Sequence, residues 1–365
     1  MFNLSPLYMN WMQAWADCMR EDGSMPHTAP NPYAAGGGPF WCGFIITASW
    51  QTYLNYGDRR LLDRYYPYMQ QWLEYVAHYT VDGLLKKWPD TSYRNWYLGD
   101  WATPVGIDQT NPLSVDLVDN CYIAVCYQTM SKIASLLGKA DDSRGYTAKY
   151  DALTKRIQET FYDVKGNTYA SGTQIDLVYP MLAGVTPDNL KETVLKTLYE
   201  VTANRFQEHL ATGLVGIPVL TEWAVKNGQA EWMYQMLKKR DYPGYLYMLD
   251  NGATTTWEHW NGERSHIHNC YNGIGAWFYQ ALAGIMPDES KPGYKHIWIK
   301  PQVVNDISWV QASKDTPYGL LKVRWEKKEA SFVLDVQIPV GTSASVALPF
   351  PAESVCVNGQ PSQGK

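Results

Sequence analysis

No run in the 365 residues approaches the roughly 18 to 20 consecutive apolar positions that a membrane-spanning helix needs. The first residues, MFNLSPLYMNWMQAWADCMRED, lack the layout of a secretory signal, so no export is expected from them, and the compartment, cytoplasm or periplasm, stays open. Basic charge is not in excess: 31 Lys and Arg stand against 36 Asp and Glu, a net charge of −5 without long runs. That excludes the cationic footprint of a nucleic-acid binder. The six cysteines (Cys18, Cys42, Cys121, Cys126, Cys270 and Cys356) form no CxxC pair and no compact disulfide spacing, and read as free, mostly buried thiols. Internal repeats and low-complexity segments are missing as well.

Phenylalanine is scarce at 8 residues, whereas there are 16 Trp and 27 Tyr. Trp and Tyr combine a flat apolar face with a polar edge, which suits a sugar ring whose C–H face stacks while its hydroxyls hydrogen-bond. A large helical core built from big side chains would have the same composition, and composition alone does not choose between the two. With 45% hydrophobic residues, the chain can bury a sizeable core, and its length is that of about two domains.

Most of residues 1–285 reads as helix. Leu62, Tyr65, Tyr66, Met69, Trp72, Leu73 and Val76 fall on one helical face, with Pro67 expected to kink that helix or start a second one. Residues 117–137 are apolar on nearly every side, which predicts a deeply buried helix, and Tyr146, Tyr150, Leu153, Ile157 and Phe161 form a narrower stripe. Further helices are expected at 5–21, 40–56, 188–203, 217–226 and 265–284, joined by loops rich in Gly, Pro, Asn and Asp. Helix after helix points to paired helices rather than a parallel α/β fold. After Pro292 the period changes: Phe332, Leu334, Val336 and Ile338 alternate with Ser331, Val333, Asp335 and Gln337, and HIWIK and ASVAL are similar short runs. A small β-sandwich is therefore expected over 293–365, after a helical domain over 1–292. The polar tail VNGQPSQGK carries no closing strand in this reading and is expected to fray or to mark a truncation.

The densest chemistry lies in ATTTWEHWNG, where Glu258 sits between Trp257 and Trp260. A carboxylate beside aromatic rings loses solvation, which suits it to acid or base work near neutral pH; a plain loop glutamate is the alternative. His266 and His268 form an H-x-H, but no further Cys, Asp or His completes a metal sphere. A helix start is the expectation there, with a sugar hydrogen bond as the economical role for one histidine. Neither a metal nor a cofactor is expected. GGGPFWCG lacks the Gly-Lys-Ser/Thr ending of a phosphate loop and reads as a sharp turn presenting Trp41. In YLGDW, Asp100 and Trp101 stand at a loop tip, where a capping aspartate and a core tryptophan are the alternative.

The stretch GATTTWEHWNGERSHIHNCYNGIGAWFYQALAGIMPDESKPGYKHIWIKPQ resembles the closing part of the catalytic domain of bacterial α-L-rhamnosidases, glycoside hydrolase family 78, with its Trp-Glu-x-Trp and Ser-x-x-His steps. Upstream, DGSMPHTAPN, GGGPFW, YGDRRLLDRYYPYMQQWLEY, DGLL and GDW follow in that family's order, so the resemblance runs from about Phe2 to the β region. It implies an (α/α)6 toroid followed by a small antiparallel β-sandwich, and inverting hydrolysis of terminal α-L-rhamnosides in an oligosaccharide, polysaccharide or glycoside. Inversion needs two carboxyl groups roughly 6.5 to 9.5 Å apart, one protonating the leaving oxygen and one activating water. By resemblance, Glu258 is the base, Trp41 and Trp101 are walls of the sugar pocket, His268 contacts a sugar hydroxyl, Asp100 supports the site, and Trp257 and Trp260 flank the base.

The family's acid is a glutamate in an Asp-Arg-x-Glu-x-x-Gly-Trp-x-Gly-Asp segment just before the part corresponding to Phe2, and this sequence does not contain that segment. The resemblance thus implies a toroid without its first helical elements and a chain that does not catalyse alone. Asp100, Asp108, Glu222 and Asp250 are loop or loop-end carboxylates, but no pattern singles one out as a substitute. Two other readings stand beside this one: a non-catalytic sugar-binding remnant, and a different (α/α)6 enzyme such as a glucosidase or a sugar epimerase.

Overall fold

Asn111-Pro112 starts the longest of the described helices, which also holds the most buried residues. The Asn111 side chain accepts from the backbone N–H groups of Leu113 and Ser114 at 3.0 and 3.4 Å, and Pro112 takes the first helical position, where no N–H is needed. The computed structural model describes residues 3–91, 93–104, 111–351 and 354–362.

Eleven α-helices fall within the described residues: α1 Ser5–Cys18, α2 Pro39–Cys42, α3 Phe44–Tyr56, α4 Arg60–His78, α5 Pro112–Leu136, α6 Ala140–Phe161, α7 Gln174–Leu182, α8 Asp188–Glu200, α9 Gly216–Lys226, α10 Ala230–Leu237 and α11 Tyr245–Asp250. Short loops join α3 to α4, α5 to α6, α7 to α8 and α9 to α10, giving four helical hairpins. Helices α3, α5, α7 and α9 pack each on the next, with α1 against α3 and the π-helical turn Trp277–Leu282 against α9. This is the helical layering of an (α/α)6 toroid. Helix α5 buries Leu117, Val118, Cys121, Ala124, Met130 and Ile133, and each large apolar side chain removed from water contributes about 1.5–3 kcal/mol.

Two local expectations give way, and three short helices were not foreseen. Pro67 does not start a second helix; α4 runs through it. Its ring is on the exposed side, so the backbone group it leaves unpaired is next to water. The expected helix over 265–284 is reduced to a 3₁₀ turn at Asn272–Ile274 and the π turn, because residues 265–268 pair with 256–258 instead. Helices α7, α10 and α11 went unread, being only nine, eight and six residues long, too short for a clear period.

The β region holds two three-stranded sheets. Trp309–Thr316, Gly319–Lys327 and Phe332–Gln337 are antiparallel, and Phe332–Gln337 shows the expected alternation in burial. Ile285–Pro287 and His296–Ile299 are antiparallel, while Ser343–Val346 joins the latter in parallel, so this sheet is mixed. Ile285, Ile297 and Ile299 of one sheet meet Leu321 and Val323 of the other in a dry layer. The tail does close a strand pair. Val355–Val357 pairs with Gln360–Ser362 around Asn358-Gly359, whose positive φ values of 51° and 76° fit the Asn-Gly hairpin turn. The β region is bound to the far end of α9: Gln302 donates to Val225 O at 2.7 Å and accepts from Ala230 N at 3.1 Å.

Candidate active site

The sequence WNGER dictates the local geometry around Glu258. Gly262 turns at φ +81°, its N–H donates to His259 O at 3.0 Å, and the Asn261 side chain accepts from Glu263 N at 3.1 Å. The chain then doubles back: Glu258 N donates to Ser265 O at 2.8 Å, and His268 N donates to Thr256 O at 3.0 Å. His266 and His268 therefore lie on the return arm of this loop, not at a helix start.

Glu258 exposes 13% of its side chain. Its Oε2 accepts from Ser265 N at 3.1 Å, and its Oε1 lies 3.5 Å from the Arg264 guanidinium and 3.8 Å from His259 Nε2. Trp101 meets His259 edge to face, with ring centroids 5.2 Å apart, and His268 at 6.0 Å. Glu258, Trp101, His259 and His268 thus converge. His268 Nδ1 accepts from Cys270 N at 3.1 Å, which leaves Nε2 as the proton-bearing nitrogen of the neutral ring. Burial pulls the pKa values of His268 and His259 below the usual histidine range, against the opposing charge of Glu258.

Trp257 and Trp260 flank Glu258 in the chain and, being buried, have no face to offer a sugar. Trp260 is 1% exposed, stacks on Tyr271 and donates from Nε1 to Thr212 O at 2.8 Å. Trp257 is buried and stacks on His266 with centroids 4.8 Å apart. Asp100 is likewise interior: its carboxylate accepts from Gly213 N at 2.8 Å, Val215 N at 3.1 Å and Gly216 N at 2.8 Å, gathering the start of α9. Burial pushes its pKa up to about 7 against those three donors. It acts on the start of α9 as a buried cap. Its chain neighbour Trp101 accepts at its carbonyl from Leu214 N at 2.8 Å.

Trp41, on α2, is half-buried with its ring against Phe40 and over Gly37. It is tied to the Trp101 segment through the backbone: the pairs Ala35–Arg94 and Gly36–Asn95 run parallel, and Leu98 N donates to Gly37 O at 2.8 Å. Glu222 and Asp250 are engaged elsewhere, with Lys226 at 2.6 Å and Arg240 at 2.5 Å, and Asp108 lies outside the described residues. A cavity of about 220 Å³ between α3, α5, α7 and α9 is lined by none of the site residues. Among the described residues, no three His, Cys, Asp or Glu side chains cluster as a metal site.

Sequence reasoning passed over His259 and the segment Thr212–Gly216. The clue to the segment was TGLVG, two glycines three apart just before a helix. A Cβ on Gly213 would lie 1.9 Å from Trp101 O, so only glycine permits that approach.

Residues 1–282 match the bacterial alpha-L-rhamnosidase six-hairpin glycosidase domain, and residues 284–362 match the bacterial alpha-L-rhamnosidase C-terminal domain. An alpha-L-rhamnosidase of Formosa agariphila is 28% identical over 369 residues, covering 96% of this chain and 38% of that protein. One from Streptomyces avermitilis is 28% identical over 351 residues, covering 93% and 32%. The chain thus spans less than two-fifths of the length of these relatives. Among solved structures, the alpha-L-rhamnosidase of Dictyoglumus thermophilum superposes with a TM-score of 0.90 at 27% identity, over 99% of this chain and 41% of that one. The Streptomyces avermitilis alpha-L-rhamnosidase complexed with L-rhamnose superposes with a TM-score of 0.83 at 26% identity, over 94% and 33%.

Proposed function

The chain belongs to the bacterial α-L-rhamnosidase family, and from that premise we propose that it carries the base side of an inverting hydrolysis of terminal α-L-rhamnosides. Glu258 takes a proton from the attacking water, Trp101 and Trp41 wall the sugar, and His268 donates from Nε2 to a sugar hydroxyl. The observation that carries this reading is the convergence of a mostly buried carboxylate, anchored through one oxygen by Ser265 N, with Trp101 and two histidines. These residues all belong to the helical part, ahead of the sheet that begins with Ile285–Pro287. The rhamnose complex of the Streptomyces avermitilis relative supports the choice of sugar.

Inversion also needs an acid on the opposite face of the anomeric carbon. Asp100, Glu222 and Asp250 are committed to other partners, so none of them is offered for that role. That observation favours a second reading, in which this chain binds the sugar without turning it over. The purified chain and its Glu258→Gln variant should be assayed on an aryl α-L-rhamnoside, with the product anomer followed by NMR and L-rhamnose binding measured by calorimetry. First release of β-L-rhamnose, abolished by Glu258→Gln, supports catalysis; binding without turnover supports the second reading. Unchanged turnover in Glu258→Gln, or no affinity for L-rhamnose, overturns the assignment.

A further inference from the structure

His259 is the one site residue whose chemistry the reading above leaves unused. It is 4% exposed, its ring is fixed edge-on by Trp101, and its Nε2 has no hydrogen-bond partner among the described residues. A buried, unpaired ring nitrogen is costly, and such groups call for an explanation. This one lies 3.8 Å from Glu258 Oε1, too far for a direct hydrogen bond. An oxygen about 2.8 Å from both atoms would see them at an angle of about 85°, close enough to the spread of the two O–H bonds of one water.

We propose that His259 is the water-positioning residue of this site, accepting one hydrogen of the attacking water at Nε2 while Glu258 Oε1 accepts the other. The inference rests on Glu258 being the base. With both hydrogens directed at acceptors, a lone pair of the oxygen is left to point at the anomeric carbon. In the step, one water O–H bond breaks with its proton going to Glu258, and the oxygen bonds to the anomeric carbon. The glycosidic C–O bond breaks on the other face, and the leaving oxygen takes a proton from a second carboxylic acid. His259 keeps its own protonation state throughout.

The role requires a neutral ring with its proton on Nδ1. The charged and titratable groups facing it are Glu258 and Glu263, which favour protonation, and Arg264 and His268, which oppose it; burial opposes it most. A protonated ring would turn Nε2 into a donor to Glu258 and remove the acceptor that aims the water.

Two variants and one spectroscopic measurement test this. His259→Phe keeps a ring against Trp101 and removes the acceptor; kcat should fall about a hundredfold with KM and L-rhamnose affinity within twofold. His259→Gln restores an acceptor oxygen and should recover most of kcat, with an acid limb of the pH profile displaced to lower pH. Independently of turnover, nitrogen NMR of the labelled chain at pH 7 should find His259 Nε2 unprotonated and its shift changed by Glu258→Gln. A proton on Nε2, or His259→Phe with wild-type kcat where Glu258→Gln is inactive, overturns the proposal and leaves the base intact. Activity unaffected by Glu258→Gln removes the underlying reading instead.

Discussion

Trp260 lies on Tyr271 with ring centroids 4.1 Å apart and planes 23° from parallel, and both rings are pinned to backbone carbonyls. Trp260 Nε1 donates to Thr212 O, and Tyr271 Oη donates to Ala102 O at 2.8 Å. The stack therefore joins the loop carrying Glu258 to the segment carrying Trp101. Tyr271→Phe keeps the ring and leaves the Ala102 carbonyl unpaired. It should cost about 1–2 kcal/mol in urea unfolding and weaken L-rhamnose binding several-fold in calorimetry.

Gly213→Ala should be far more damaging than an ordinary loop substitution. The added Cβ would sit 1.9 Å from Trp101 O, so the backbone must move and the Leu214–Trp101 hydrogen bond with it. A loss of about 3 kcal/mol in urea unfolding is expected, together with loss of sugar affinity.

Asp100 separates a supporting role from a sugar contact. Asp100→Ala strands three buried N–H groups at the start of α9 and should cost about 3 kcal/mol or more, whereas Asp100→Asn keeps one acceptor oxygen and should cost clearly less. Thermal unfolding of the two variants checks the order. If Asp100→Asn left stability unchanged but abolished L-rhamnose binding, a direct sugar contact would replace the supporting role.

Acid should destabilise the fold through His259 and His268. Both are held below the usual histidine value of about 6.5, so under acid conditions the unfolded chain takes up protons before the folded one does. Stability is at its full value above pH 6.5 and is lost as pH falls from there toward the folded pKa values. On going from pH 7.5 to pH 5 the urea midpoint should therefore fall further in the parent chain than in the His259→Phe, His268→Gln double variant, since Asp100, raised to about 7, shifts both alike in the opposite direction.

How much of this was legible in the sequence depends on how local each signal is. The stripe of α4 and the nearly uniform apolarity of α5 are periodic over fifteen residues or more, and both helices stand where expected. The helix expected at 265–284 is helical only over 272–282, because Ser265 and His268 exchange backbone hydrogen bonds with Glu258 and Thr256, a pairing that apolar spacing does not encode. Glu258, Trp101 and His268 were legible as a motif. The burial of Trp260 and the gathering of α9 by Asp100 were not, since both depend on Thr212–Gly216, more than forty residues from one partner and more than a hundred from the other.

Trp101 and the Glu258 loop are both moored to that five-residue segment, one through Leu214 N and the other through Thr212 O. The spacing between Trp101 and Glu258 is thus a property of backbone far from either in sequence. Relatives could exchange one sugar shape for another by altering this mooring, with every side chain that touches substrate kept the same. In such a protein, a survey of contact residues alone would miss the source of its selectivity.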